Sequence, residues 1–220
     1  MLTPTVHNRQ TFNARFALRK AFWLVLILIS CGLIGFQLSA KINSTGTLAN
    51  IQKVSPPLAL PNFYLRDQHG QAFDLNSLKG QWSILFFGFT QCPDICPATL
   101  QQLAMLNNTM SQQTIAGVTP QTVFVSVDPK RDSEHLAEYV EYFAKDFIGI
   151  SGDMSEVVKL EQGIGAWHQY QTASDGNYQV AHSGELFLIN PKGELQARLQ
   201  PPLDIKAITQ QLLLLMSGQV

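Results

Sequence analysis

A short apolar stretch that leads directly into two cysteines constrains the fold of this chain more than any other feature. Residues 84–89 read Ile-Leu-Phe-Phe-Gly-Phe, and residues 92–97 read Cys-Pro-Asp-Ile-Cys-Pro. A run of bulky apolar residues predicts a strand that is covered on both faces. Pro97 is typical of the first position of a helix, where the missing N–H is not needed. The sequence therefore predicts a strand, a tight turn and a helix, with both thiols at the turn.

The predicted position of Cys96, close to the start of the helix, matters for its chemistry. Free backbone N–H groups and the positive end of the helix dipole favour a thiolate over a thiol there. A thiolate is both a nucleophile and a metal ligand. The thiols of Cys92 and Cys96 are four residues apart and can face the same side. A structural disulfide, or a pair of small buried hydrophobic residues, is the alternative interpretation.

The N-terminal region predicts a membrane anchor. Residues 21–40 contain no charged side chain, and a helix of this length spans roughly 30 Å of hydrocarbon. Residues 1–20 carry four basic residues and no acidic residue, which places them in the cytoplasm by the positive-inside rule. In the alternative interpretation this region is a lipoprotein signal, because Leu-Ile-Ser-Cys at residues 28–31 resembles a lipidation sequence with Cys31 as the lipidated residue. Both interpretations tether the rest of the chain outside the cytoplasm.

Beyond the anchor, the sequence predicts a linker and one globular domain. Residues 41–54 are polar and lack periodicity, which is typical of a linker, and residues 55–220 form the predicted domain. The net charge of the whole chain is -1, and only 14% of its residues are charged. This composition offers no basic surface for nucleic acid. The predicted location is the bacterial inner membrane, with a single pass and the globular domain in the periplasm or otherwise outside the cytoplasm.

The order of predicted elements indicates a thioredoxin-like α/β fold with an added N-terminal β-hairpin. A hairpin at residues 63–75 precedes the central strand and the cysteine helix, and a second buried strand follows at residues 123–127. Asp132 and Ser133 are predicted to cap the next helix. The remaining predicted elements are a strand at 148–150, a helix at 154–162, extended segments at 167–171 and 178–181, a hairpin at 185–199 and a helix from 204.

In a thioredoxin-like fold, the loop before the closing hairpin folds back beside the cysteine turn. This loop carries a cis-proline in ordinary thiol oxidoreductases, but here it contains His182 and no proline. Two sulfurs and one imidazole nitrogen form a soft site that suits Cu(I) and also accepts Cu(II) or zinc, although zinc usually takes a fourth ligand. The other histidines are predicted to be solvated or hydrogen-bonded, namely His7, His69, His135 and His168.

Three separated motifs resemble the SCO/SenC family. They are Cys-Pro-Asp-Ile-Cys-Pro at 92–97, Val-Asp-Pro-Lys-Arg-Asp at 127–132, and His182-Ser183 ahead of Leu-Ile-Asn-Pro-Lys-Gly-Glu at 188–194. The resemblance implies a membrane-tethered, thioredoxin-fold copper carrier that helps to assemble the binuclear copper centre of cytochrome c oxidase. It implies that Cys92, Cys96 and His182 are the copper ligands and that Asp128 lies beside the site. One departure is Ala181, because the residue before this histidine is often acidic in the family.

The sequence thus predicts a metallochaperone that binds copper as Cu(I), and also as Cu(II), and passes it to the copper-accepting subunit of cytochrome c oxidase or to other copper chaperones. The alternative is an enzyme, a thiol-disulfide reductase in which Cys92 attacks and Cys96 resolves. Both functions share a redox-active disulfide between Cys92 and Cys96, because a dithiol outside the cytoplasm tends to oxidise.

Overall fold

The computed structural model describes residues 51–113, 119–172 and 178–218, together with Trp23. The chain divides into two compact units, Met1–Gly46 and Thr47–Val220, and the fold described below belongs to the second. Within the described part of the chain, no helix has the length and apolar character needed to cross a bilayer. Cys31 and, apart from Trp23, the predicted anchor at residues 21–40 lie outside the described residues.

Ten strands and six helices make up the described part of this unit. The strands are β1 (Ile51–Ala59), β2 (Tyr64–Asp67), β3 (Ala72–Asp74), β4 (Ser83–Gly88), β5 (Gln121–Ser126), β6 (Ile148–Ser151), β7 (His168–Thr172), β8 (Tyr178–His182), β9 (Leu186–Ile189) and β10 (Glu194–Leu199). The helices are α1 (Leu75–Leu78), α2 (Ile95–Gln113), α3 (Pro129–Asp132), α4 (Leu136–Phe143), α5 (Met154–Ile164) and α6 (Ile205–Met216).

A mixed sheet of eight strands in the order β1-β10-β9-β4-β5-β6-β2-β3 forms the centre of the fold. Strand β4 runs parallel to β5 and antiparallel to β9, and all six of its residues are buried. Its side chains alternate between the two faces. Ile84 and Phe86 pack in a core with residues of α2, α4 and α6, and Leu85 and Phe87 pack in a core with residues of α5. This three-layer arrangement confirms the predicted thioredoxin-like α/β fold.

Two parts of the sheet differ from the sequence-based expectation. Residues 51–54, assigned above to the linker, belong to β1, which pairs with β10 at the edge of the sheet. The hairpin formed by β2 and β3 extends the main sheet, because β2 pairs with β6. The sheet therefore continues on both sides of the predicted core.

The predicted cap of α4 is wrong. The residue at the N-cap position is His135, whose side chain makes no capping hydrogen bond. Asp132 instead ends the short helix α3, and its side chain is buried. The sequence pattern of an acidic residue ahead of an apolar helix did not reveal this extra turn, which begins at Pro129, three residues after the last residue of β5.

Strands β7 and β8 form a separate two-stranded antiparallel sheet. His168 pairs with His182 at one end of this hairpin, and Thr172 pairs with Tyr178 at the other. Residues 173–177, between the two strands, lie outside the described residues. The hairpin matters for function because it carries His182 as the last residue of β8.

Candidate metal centre

Cys92 and Cys96 lie where the chain leaves β4 and enters α2. Cys92 is half-buried in the turn, and Cys96 is fully buried as the second residue of α2. The helix begins at Ile95, two residues before the predicted start at Pro97. Both cysteines are free thiols in this structure. The predicted placement of Cys96 in the first helical turn is confirmed. The thiolate predicted for Cys96 at this position is wrong, because the hydrogen bond with Cys92 and burial raise the pKa of Cys96.

Gly88, the last residue of β4, makes room for the buried thiol. A Cβ atom at this position would lie 2.8 Å from the Sγ atom of Cys96 and 2.7 Å from the Phe124 ring. Both distances are far shorter than a normal van der Waals contact. A side chain at Gly88 would therefore displace Cys96 or the aromatic core beneath it.

His182 meets the two cysteines from the hairpin. The metal-ligating atoms of Cys92, Cys96 and His182 all lie within 4.8 Å of one another. The Nε2 atom of His182 is 3.4 Å from the Sγ atom of Cys96. The Nδ1 atom lies 3.0 Å from the carbonyl oxygen of Ser183, which only accepts hydrogen bonds, so Nδ1 carries the proton. The lone pair of Nε2 is therefore directed toward the sulfurs.

The two thiols have opposite electrostatic environments. The Cys96 thiol donates a hydrogen bond to Cys92, and this contact is the main reason that the pKa of Cys92 is lowered to about 3. The backbone N–H of Cys96 also donates to the Cys92 sulfur, at 3.4 Å. The same interaction with Cys92, together with burial, raises the pKa of Cys96 above its ordinary value. The reduced site therefore holds a Cys92 thiolate and a protonated Cys96.

This asymmetry predicts an unusual pH profile for alkylation. An ordinary cysteine has a pKa of about 8.5. At pH values below this pKa, its alkylation rate rises about tenfold per pH unit, because only the thiolate reacts. We expect the rate at Cys92 in the reduced, metal-free chain to be nearly constant from about pH 5 to 9. The rate itself should be modest at high pH, because a thiolate of low pKa is a weaker nucleophile. Iodoacetamide labelling followed by mass spectrometry of the Cys92 peptide measures this profile. A tenfold rise per unit through neutral pH would contradict it, and a Cys92→Ser chain gives the background from Cys96.

The donor set fits a soft metal ion. Two cysteine sulfurs and one imidazole nitrogen are the ligands preferred by copper, and a three-coordinate site is suited to Cu(I). Among the described residues, Cys92, Cys96 and His182 form the only group of three or more His, Cys, Asp or Glu side chains that lie close enough to share one ion. The fit rests on this chemistry and on the free lone pair of Nε2.

Comparison with known proteins identifies the family. A sequence model described as SCO1/SenC matches residues 45–217. The chain belongs to the SCO1/SenC family. A Stutzerimonas stutzeri protein named for copper binding is 35% identical over 186 residues, covering 84% of this chain and 89% of that protein. The human mitochondrial SCO2 homologue is 35% identical over 135 residues, which cover 60% of this chain and 50% of the human protein.

A solved structure of a family member agrees with the fold. The structure of Arabidopsis thaliana ScoI with copper bound superimposes with a TM-score of 0.67 at 30% sequence identity. The match covers 72% of this chain and 98% of the Arabidopsis chain. The thioredoxin-like core of this SCO1/SenC protein is therefore shared with a relative that was solved with its metal.

Asp128, which the family resemblance places beside the site, is buried and is connected to His182 through other side chains. Its carboxylate accepts hydrogen bonds from the Nε atom of Arg131 and, at 3.0 Å, from the hydroxyl of Tyr178. The Arg131 guanidinium lies 3.9 Å from the centre of the Tyr178 ring and 5.6 Å from that of Phe89. Phe89 in turn contacts His182 edge to face, with the two ring centres 6.0 Å apart. Asp128 thus contacts the SCO1/SenC site only through these intervening side chains.

Asp132 is the site-supporting residue whose role the sequence did not reveal. Its carboxylate accepts hydrogen bonds from the backbone N–H and the hydroxyl of Thr90, at 3.0 and 2.7 Å. It also accepts one from the hydroxyl of Ser126, at 2.6 Å. Thr90 lies two residues before Cys92, so Asp132 fixes the start of the cysteine turn. The Val-Asp-Pro-Lys-Arg-Asp motif marks this residue, but its contact with Thr90 spans 42 positions and has no local signal.

The other histidines behave largely as the sequence predicts. His168 is hydrogen-bonded to Glu161, and His69 lies 3.6 Å from a Glu141 oxygen on the surface. His135 is exposed beside a groove of about 370 Å³ near the cysteine turn. His7 lies outside the described residues.

Proposed function

We propose that this SCO1/SenC protein binds one copper ion through Cys92, Cys96 and His182 and delivers it to the copper centre of cytochrome c oxidase during assembly. The observation that carries the proposal is the convergence of two sulfurs and one imidazole nitrogen, which all lie within 4.8 Å of one another. The copper-bound structure of the Arabidopsis relative supports the choice of metal. The family resemblance supports the acceptor, which is the copper-accepting subunit of the oxidase or another copper chaperone.

The chain's own residues are prepared to capture the ion. Cys92 is already a thiolate, Nε2 of His182 has a free lone pair, and Cys96 releases its proton when the metal binds. The expected cargo is Cu(I), and the same ligands accept Cu(II). Cys92 and His182 are half-buried, so ligands of an acceptor can replace them one at a time. Asp128 supports the site through Arg131 and Phe89.

The proposed location follows from the N-terminal sequence. Residues 1–20 lie in the cytoplasm, residues 21–40 anchor the chain in the bacterial inner membrane, and the copper-binding domain faces the periplasm. Lipidation of Cys31 is the alternative form of attachment. Either tether raises the effective concentration of the domain near a membrane-bound acceptor.

A second function, thiol-disulfide reduction of the acceptor, is favoured by one specific observation. Cys92 is half-exposed and has a strongly lowered pKa, whereas Cys96 is buried and protonated. This is the arrangement of an attacking and a resolving thiol. Attack by Cys92 on an acceptor disulfide would give a mixed disulfide and release one acceptor thiolate. Attack by Cys96 would then release the second, with Cys92 and Cys96 oxidised to a disulfide.

Copper titration of the full chain tests the primary function. We expect the reduced chain to bind one equivalent of Cu(I) in competition with a chelator, and the chain oxidised to the Cys92–Cys96 disulfide to bind none, because both ligands are lost. Release of the copper on acidification would follow protonation of the ligands. Absence of tight binding, combined with rapid exchange with protein disulfides, would overturn copper delivery in favour of the reductase function.

A further inference from the structure

The hairpin that carries His182 places a second histidine directly beside it. His168 and His182 are paired residues of β7 and β8, and paired residues of an antiparallel ladder project from the same face. Val180 and the side chain of His168 are buried on this inner face, whereas Gln169 and Gln171 on the other face are exposed. In the described part of the hairpin, the two strands pair with each other and not with the main sheet. Side-chain anchors therefore determine where the hairpin lies.

One polar anchor is a buried contact between His168 and Glu161 of α5. The Nδ1 atom of His168 lies 2.9 and 2.8 Å from the two carboxylate oxygens of Glu161. The exposed fractions of the two side chains are 8% and 4%. A carboxylate accepts hydrogen bonds and does not donate them, so Nδ1 of His168 carries the proton. The contact joins α5 to the start of β7.

Two effects limit the net stability that this anchor contributes to the fold. Glu161 lies in the last turn of α5, where the helix dipole disfavours a negative charge. Burying an ionisable pair also costs solvation free energy, and apolar residues of similar size often stabilise a protein equally well. The pair instead provides a directional contact that apolar residues would not. It fixes the hairpin relative to α5.

Hydrogen bonds between Trp167 and Ser183 connect the start of β7, where His168 lies, to the end of β8, where His182 lies. The N–H of Ser183, next to His182, donates to the carbonyl oxygen of Trp167 at 2.9 Å. The N–H of Trp167 is in turn 3.4 Å from the hydroxyl oxygen of Ser183. Trp167 precedes His168, so these bonds tie the two histidines together at the base of the hairpin. A shift of His168 would therefore move His182 relative to the sulfurs.

We infer that Glu161 and His168 are positioning residues that hold His182 at the distance from Cys92 and Cys96 needed to bind copper. This inference rests on the proposed function, because it assigns the pair a role in the same metal site. Neither side chain is a ligand. Loss of a supporting contact around a metal ligand typically lowers metal affinity by about ten- to a hundredfold, and we expect about tenfold here.

The first test compares Glu161→Leu with Glu161→Gln in the full chain. Leucine leaves the buried Nδ1–H of His168 without an acceptor, whereas glutamine keeps an acceptor oxygen. We expect copper affinity to fall about tenfold in Glu161→Leu and to be largely restored in Glu161→Gln. In the Cu(II) form, the nitrogen hyperfine coupling from His182 in the electron paramagnetic resonance spectrum should weaken in Glu161→Leu only.

A matched control separates positioning from general stability. Thr122→Val removes the acceptor of a 3.1 Å hydrogen bond from Asn107, which also leaves a buried N–H without a partner. This change should lower the melting temperature and leave both copper affinity and the nitrogen coupling unchanged. Equal losses of affinity in Thr122→Val and Glu161→Leu would overturn the inference.

A double variant keeps the test decisive if Glu161→Leu does not fold. Glu161→Leu combined with His168→Phe replaces the pair with apolar groups and leaves no unpaired polar atom, so the fold should persist. We expect its nitrogen coupling and copper affinity to be reduced as in Glu161→Leu. Unchanged coupling and affinity would overturn the inference and leave the proposed function intact. The proposed function predicts that the unaltered chain shows a nitrogen coupling that His182→Ala removes. If this coupling were absent, the proposed function itself would fail, independently of the inference about Glu161 and His168.

Discussion

Replacing Cys96 with serine is expected to lower the copper affinity of the reduced chain by about a hundredfold or more. Structural zinc sites with four ligands release about 10–16 kcal/mol on binding, or on the order of 3 kcal/mol per ligand, and we expect a contribution of the same size from each copper ligand here. A serine hydroxyl is a hard, protonated oxygen and does not replace a thiolate for a soft ion. Competition with a chelator of known affinity measures the loss.

The third cysteine provides the control for this change. Cys31 lies in the predicted anchor, far along the sequence from the site, so Cys31→Ser should bind copper as the unaltered chain does. Replacement of Cys92 should resemble that of Cys96, because both contribute a sulfur to the same group. Copper affinity that survived the loss of either sulfur would contradict a three-ligand site.

The change His182→Ala distinguishes copper binding from thiol-disulfide reduction. It removes the nitrogen ligand and should weaken copper binding, but it leaves both thiols free to form a disulfide. His69→Ala is the matched control, because His69 is a surface histidine whose only described ionic contact is with Glu141. If His182→Ala bound copper with unchanged affinity, the thiols alone would form the site.

The strand, turn and helix around the cysteines could be predicted because their signals are local. Four consecutive apolar residues, 84–87, lie at the centre of β4, the cysteines follow a few residues later, and Pro97 marks the first turn of α2. His182 could be placed beside them only through the order of elements, since 86 positions separate it from Cys96. The contact between His182 and Cys96 therefore depends on the fold and not on the local sequence.

The edge strand and the supporting contacts had no comparable signal. The sequence of β1 contains two prolines and no alternation of apolar and polar residues, and most of its residues are exposed, so its first four residues resemble a linker. Pairing with β10, more than 130 positions away, makes it a strand. The contact between Glu161 and His168 likewise depends on the chain reversal at Gly165, which has a φ of +76°.

Asp132→Ala is expected to destabilise the fold by about 3 kcal/mol, because one buried donor and two partly buried donors lose their acceptor at once. Two of these donors belong to Thr90, at the start of the cysteine turn, and the third belongs to Ser126, at the end of β5. Copper affinity should fall as well, since the turn is no longer held against β5. Asp204→Ala is the control: Asp204 caps α6 through one hydrogen bond to Ala207, and its loss should cost about 1 kcal/mol without affecting copper.

The isosteric change Asp132→Asn adds a pH dependence whose sign can be derived. Burial raises the pKa of Asp132 above its usual value of 3.8. An acid with a raised folded-state pKa stabilises the fold fully below its unfolded pKa, and this contribution is lost as the pH rises through the folded pKa. Asparagine does not titrate, so the free energy of unfolding of the unaltered chain minus that of Asp132→Asn should be greatest below about pH 4 and fall toward neutral pH. Urea unfolding of both chains across this range measures the difference. A difference that grew with pH would mean that the three hydrogen bonds outweigh burial and hold Asp132 in its charged form.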